Sequence, residues 1–92
     1  MNKTKIENIA SAGTMESSDA YVEIEPSEKG LTLELSSVVE KQFGEKIKEV
    51  ASEVLFEYGV CDAHVRIVDR GALECVIRAR VETAILRAKG EM

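Results

Sequence analysis

A chain of 92 residues has room for one small domain, which buries roughly 60–65% of the surface that its unfolded form exposes. A deep pocket with several catalytic groups is hard to fit into that volume. With 45% hydrophobic and 32% charged residues, wholesale disorder is excluded, and a net charge of −5 lacks the clustered positive footprint of a nucleic-acid binder and any attraction to anionic membranes.

From Met1 to Asp19 the residues are Asn, Lys, Thr, Ser, Gly and Ala in no period, which reads as a flexible N-terminal arm over 1–19 rather than a packed element. A single domain is expected over 20–90. Ala20, Val22 and Ile24 alternate with Tyr21, Glu23 and Glu25, a half-buried strand ended by Pro26. Ser27 to Gly30 forms a turn, and Leu31, Leu33 and Leu35 alternate beyond it, so the two runs are expected to pair as a hairpin.

Ser37 with Glu40 three residues on has the form of a capping box at a helix start. Val39, Phe43, Ile47, Val50, Val54 and Tyr58 then recur as one apolar stripe, and Gly59 stands where a C-terminal cap belongs. Gly44, inside the helix, costs roughly 1 kcal/mol against Ala and points to close packing. Ala63, Val65 and Ile67 mark a third strand, and Asp69-Arg70-Gly71 turns the chain into a last helix from about Ala72 to Lys89. That helix carries a broad stripe (Leu73, Ile77, Val81, Ala84, Ala88) and a narrow one (Cys75, Ala79, Leu86), which need two covering surfaces. The expected architecture is α+β: a small mixed or antiparallel three-stranded sheet with two helices on one face, in the order β-β-α-β-α. The strands flanking the first helix should run parallel.

Little in the chain resembles catalytic machinery. Cys61 and Cys75 form no C-x-x-C, and His64 is the only imidazole, so two reduced structural thiols and a surface histidine are expected, with no metal. Arg66, Arg70, Arg78, Arg80 and Arg87 read as a solvated face or as a set that could hold a phosphorylated group. There is no P-loop. No apolar run approaches the ~18 residues of a membrane span and no leader is evident, so a cytoplasmic location is expected. What remains is Ala12-Gly13-Thr14-Met15-Glu16-Ser17-Ser18-Asp19, which presents two hydroxyls just before a strand. By its residues alone it is either a serine-rich tail or a modification site. A modification site suits a carrier, since no base lies in sequence reach to activate either hydroxyl.

Ala12-Gly13-Thr14-Met15-Glu16-Ser17 resembles the A-G-T-x-E-S segment of the citrate lyase acyl carrier protein family, the gamma subunits of that complex. Val39-Glu40-Lys41-Gln42-Phe43-Gly44 is similar to a family helix, and the run Asp69 to Arg80 to its D-K-G-A-L-D-C-x-x-R-A-R, with Arg70 for the usual Lys and Glu74 for the usual Asp. The likeness extends from about residue 8 to residue 88. It implies a non-catalytic carrier with Ser17 as the attachment residue for 2'-(5''-phosphoribosyl)-3'-dephospho-CoA, linked through a phosphodiester. The implied partners are the citrate lyase alpha and beta subunits, a prosthetic-group transferase and an acetate:carrier ligase. The alpha subunit exchanges the arm's acetyl group for citrate, and the beta subunit cleaves the citryl group to oxaloacetate. Two other functions compete: the carrier subunit of malonate decarboxylase and an unmodified small interaction domain. A hydrolase pairing Ser17 with His64 has no supporting spacing.

Overall fold

The computed structural model describes residues 3–89. Its elements are β1 (Ala10–Gly13), β2 (Ala20–Pro26), β3 (Leu31–Ser37), α1 (Glu40–Glu57), β4 (Ala63–Asp69) and α2 (Glu74–Ala88). The strands form one sheet in the order β1-β2-β4-β3, antiparallel except for the parallel β3–β4 pair. The α+β class, the two helices and the parallel pair agree with expectation. The strand count does not: there are four, not three.

The fourth strand comes from the segment read as an unpacked arm. Ala10 to Gly13 pair with Ile24 to Tyr21, and Ala12 is buried. Upstream, Ile6 enters the core, while the Glu7 and Asn8 N–H groups both donate to Ala88 O at 3.0 Å and Thr4 N–H to Gly59 O at 3.1 Å. Residues 4–13 are thus tied to the folded body, with Ile6 and Ala12 buried and Lys5, Glu7, Asn8 and Ile9 exposed. Met1 and Asn2 of the expected arm, and Gly90 at the end of the expected domain, lie outside the described residues.

The expected β2–β3 hairpin is also absent. β4 lies between the two strands, pairing Val22 with Ile67 on one side and Leu35 with Ile67 on the other. The central position lets Ala63, Val65 and Ile67 of β4 vanish from solvent entirely. The expected capping box fails for a related reason. Ser37 is still in β3, where its hydroxyl donates to Asp69 Oδ2 at 2.8 Å and accepts from Val39 N–H at 3.0 Å. Val39 occupies the cap position with no side-chain hydrogen bond.

Both helices cover one face of the sheet. Ile47, Val50, Val54 and Leu55 of α1 and Ile77, Val81 and Ile85 of α2 meet Val22, Ile24, Val65 and Ile67 there. Gly44 is buried as expected: a Cβ would lie 3.1 Å from Glu40 Cγ and 3.7 Å from Leu35 Cδ2. The broad stripe of α2 serves both the sheet and α1 except at Leu73, which is exposed, whereas Cys75, Ala79 and Leu86 face solvent. On the other face of the sheet are Glu23, Glu34, His64 and Arg66, linked by an Arg66–Glu23 ion pair and a His64 Nε2–Glu34 Oε2 contact.

Candidate functional site

Residues 14–19 connect β1 to β2, and their conformation starts with Gly13. Its φ is +94°, and a Cβ there would lie 1.9 Å from Ala20 O and 3.0 Å from Arg80 Cδ. Only glycine lets the β1 end lie so close to β2 with the arginine stem across it. From Gly13 the chain leaves the sheet and makes a turn over residues 16–19, closed by Asp19 N–H donating to Glu16 O at 3.1 Å. Ser17 and Ser18 are its two central residues, both exposed. Ser18 has φ +68°, alone among the described non-glycine residues in the left-handed region, as the third position of a type II turn requires.

The turn then rejoins the sheet through a β-bulge. Ser18 N–H donates to Arg70 O at 2.8 Å, and Arg70 N–H donates to Asp19 O at 2.9 Å. Two residues thus oppose one, in the G1-type arrangement whose first residue is usually glycine. A serine there costs roughly 1–2 kcal/mol, which the surrounding bonds must hold in place.

Asp19 supplies most of those bonds. Arg80, from α2, grips its carboxylate with two hydrogen bonds of 3.0 Å, Nε to Oδ1 and Nη2 to Oδ2. Thr14 Oγ1 donates to Oδ2 at 2.7 Å while accepting from Glu16 N–H at 3.1 Å, and Ala20 N–H donates to Oδ1 at 2.7 Å. The Arg80 bonds first, then those from Thr14 and Ala20, lower the Asp19 carboxyl to about 2. Thr14 is therefore fully engaged, and the serines are the hydroxyls left to solvent.

Next to this turn is a second one, at the end of β4. Asp69 is buried and accepts from Gly71 N–H at 3.2 Å, Ala72 N–H at 2.9 Å and the Ser37 hydroxyl. The segments that matched in sequence thereby meet in space: the first forms the turn, and the last supplies Asp69, the bulge partner Arg70 and the clamp Arg80. Sequence reading missed Asp19 and Arg80 as a pair because 61 residues separate them.

The other candidates fall elsewhere. His64 is held by Thr32 and Glu34, with contacts of 2.6 Å at Nδ1 and 2.5 Å at Nε2. It is five residues down β4 from Asp69, about 16 Å at strand rise, so no Ser17–His64 pair exists. Cys61 and Cys75 are free and exposed, one beyond the end of α1 and the other in the first turn of α2. Among the arginines, Arg66 pairs with Glu23, Arg78 with Glu53 and Glu74, Arg80 with Asp19, and Arg87 donates to Ser11 O at 2.8 Å. A groove of about 430 Å³ runs between the first halves of α1 and α2, lined by Phe43, Ile47, Lys46, Leu73 and Ile77 among others. No helix among the described residues is long and apolar enough to cross a membrane.

A surface serine on a braced turn can carry a group, and the relatives of this chain are named as carriers. The acyl carrier family model described as malonate decarboxylase delta subunit (MdcD) matches residues 7–88. In solved structures, a chain of a Pseudomonas malonate decarboxylase hetero-tetramer in complex with malonate shares the fold, with a TM-score of 0.79 over 96% of this chain and 92% of that one at 20% identity. A citrate lyase acyl carrier protein of Escherichia fergusonii is 58% identical over 80 residues, 86% of this chain and 82% of the relative. Those of Haemophilus influenzae (strain PittEE) and Halothermothrix orenii are 48% and 46% identical over 95% and 91% of this chain, and 90% and 89% of the relatives. This chain therefore belongs to the citrate lyase acyl carrier protein family, and it is a carrier rather than an enzyme.

Proposed function

We propose that this chain serves a cytoplasmic citrate lyase complex by carrying 2'-(5''-phosphoribosyl)-3'-dephospho-CoA on Ser17. The observation that carries the reading is the exposure of Ser17 at the centre of a turn whose flanks are bonded to β4 and α2. A transferase can reach such a hydroxyl, and a bulky substituent there displaces nothing from the core. The bound group would supply a thiol that holds acyl groups as thioesters. The chain itself supplies an anchor: Gly13, Ser18 and Asp19 fix the direction in which the arm leaves, and the folded body keeps it from diffusing away. A tethered acyl group visits the alpha and beta subunits at high effective concentration, which suits a two-step transfer and cleavage. The uncovered Cys75, Ala79 and Leu86 stripe on α2 is the surface we assign to contact with those subunits.

The malonate decarboxylase reading draws on the family model's description and on the shared fold. Identities of 46–58% to citrate lyase carriers, against 20% to the decarboxylase chain, favour citrate lyase. Intact mass with peptide mapping tests the attachment on protein co-expressed with the complete lyase operon. One adduct is expected, on Ser17, and none when the modifying enzymes are left out. Ser17→Ala should abolish both the adduct and citrate cleavage by the complex while changing stability by less than about 0.5 kcal/mol. An adduct on Ser18, or none in the complete system, overturns the assignment.

A further inference from the structure

The structure sorts the five arginines that the sequence left as a group. Four have their side chains committed: Arg66 to Glu23, Arg78 to Glu53 and Glu74, Arg80 to Asp19, and Arg87 to the Ser11 carbonyl. Arg70 alone has no side-chain partner among the described residues, and it is exposed. It is also the arginine whose backbone opposes the serine turn. Its carbonyl accepts from Ser18 N–H at 2.8 Å, and its N–H donates to Asp19 O at 2.9 Å. Its backbone is thus locked across the bulge from the attachment turn, and it carries an exposed, unpaired guanidinium on a chain of net charge −5, which puts a free cation within a few residues of any anion held there.

We propose that Arg70 binds the phosphate esterified to Ser17, which rests on the attachment reading above. A phosphodiester is a monoanion whose two free oxygens match the fork of a guanidinium. Arg80 cannot take that role, because both arms of its fork are already on Asp19. The bulge gives Arg70 a fixed backbone position relative to Ser17, so its side chain alone must be ordered when the phosphate arrives. Arg70 is a binding and positioning residue in this account, with no bond-making role.

The test uses the full chain, loaded by co-expression with the lyase operon and compared with the unloaded form. Peptide mapping first locates the adduct. The Arg70 Nε–Hε resonance of ¹⁵N-labelled protein should then move and sharpen on loading, while that of Arg66, remote on the open face of the sheet, stays in place. Arg70→Gln should slow loading roughly 10-fold or more, as the loss of a charge-assisted hydrogen bond does, and Arg70→Lys should retain most of the rate. An adduct away from Ser17, or none, overturns the attachment reading and the contact together. An adduct on Ser17 with an unmoved Arg70 resonance overturns the contact alone, whatever Arg70→Gln does to the loading rate.

Discussion

Two aspartates at one end of the sheet each gather a turn, and their surroundings assign them different work. Asp69 is 1% exposed, and its carboxylate accepts from the Ser37 hydroxyl and two backbone N–H groups, joining β3, β4 and the approach to α2. Asp19 is near the surface and is balanced by a cation, Arg80, with Thr14 and Ala20 as its other donors. The first turn is scaffold built on a buried carboxylate, and Arg70 is the side chain it leaves to solvent. The second holds a strained backbone in order to keep two serines outside. The same side chain thus builds the core edge in one place and presents a residue in the other.

The comparison breaks most readily at Asp69. Asp69→Ala removes the acceptor for three donors at once, two of them backbone, and leaves them without that partner in a part-buried turn. A loss of about 2–4 kcal/mol is expected from urea unfolding. Asp69→Asn keeps a carbonyl oxygen for Gly71 and Ala72 and should lose clearly less. If Asp69→Ala costs under about 1 kcal/mol, the buried turn is no more demanding than the exposed one and the contrast disappears.

A smaller, local effect is expected from pH at Asp19. Its folded-state carboxyl is held at about 2, against 3.8 for the free group. A depressed carboxylate contributes stability that is complete above its unfolded value and is lost as pH falls toward the folded one. The clamp should therefore be intact at pH 5 and weaken between about pH 4 and pH 2. Amide resonances of Ser17, Ser18 and Arg70 should titrate together with a midpoint near 2, and Asp19→Asn should erase that transition. A midpoint near 4 would mean that Arg80 does not hold the carboxylate in solution.

What could be read from sequence follows from how local each cause is. The alternation in 20–25 and 63–67 and the stripe of α1 report burial directly, and those elements were legible. β1 was not: Ala-Ser-Ala-Gly has neither branched side chains nor a strong period, and it is a strand because β2 offers an edge and α2 covers Ala12. Alternation announces a strand but not its neighbour, so β4 slipping between β2 and β3 was invisible. Ser37 looked like a helix cap because Glu40 is close in sequence, whereas its real partner, Asp69, is 32 residues away. The Ser17 segment was legible as two hydroxyls beside a glycine. Its clamp was not, since a salt bridge across 61 residues leaves no local mark.

The smallest effect separates the two serines. Ser18 sits at φ +68°, where its Cβ costs roughly 1–2 kcal/mol that glycine would not pay. Glycine also brings more chain entropy to the unfolded state, worth about 0.5–1 kcal/mol in the opposite direction. Ser18→Gly should therefore leave stability unchanged or raise it by up to about 1.5 kcal/mol, while Ser18→Val, branched at the strained position, should lower it. Neither change touches the Ser17 hydroxyl, and Ser18→Gly keeps the turn that presents it, so loading of that variant should match the parent in adduct mass and extent. Were Ser18 itself the attachment point, Ser18→Gly would carry no adduct at all. The two serines are adjacent in sequence but have different tasks in this structure: Ser18 bends the chain so that Ser17 can be reached.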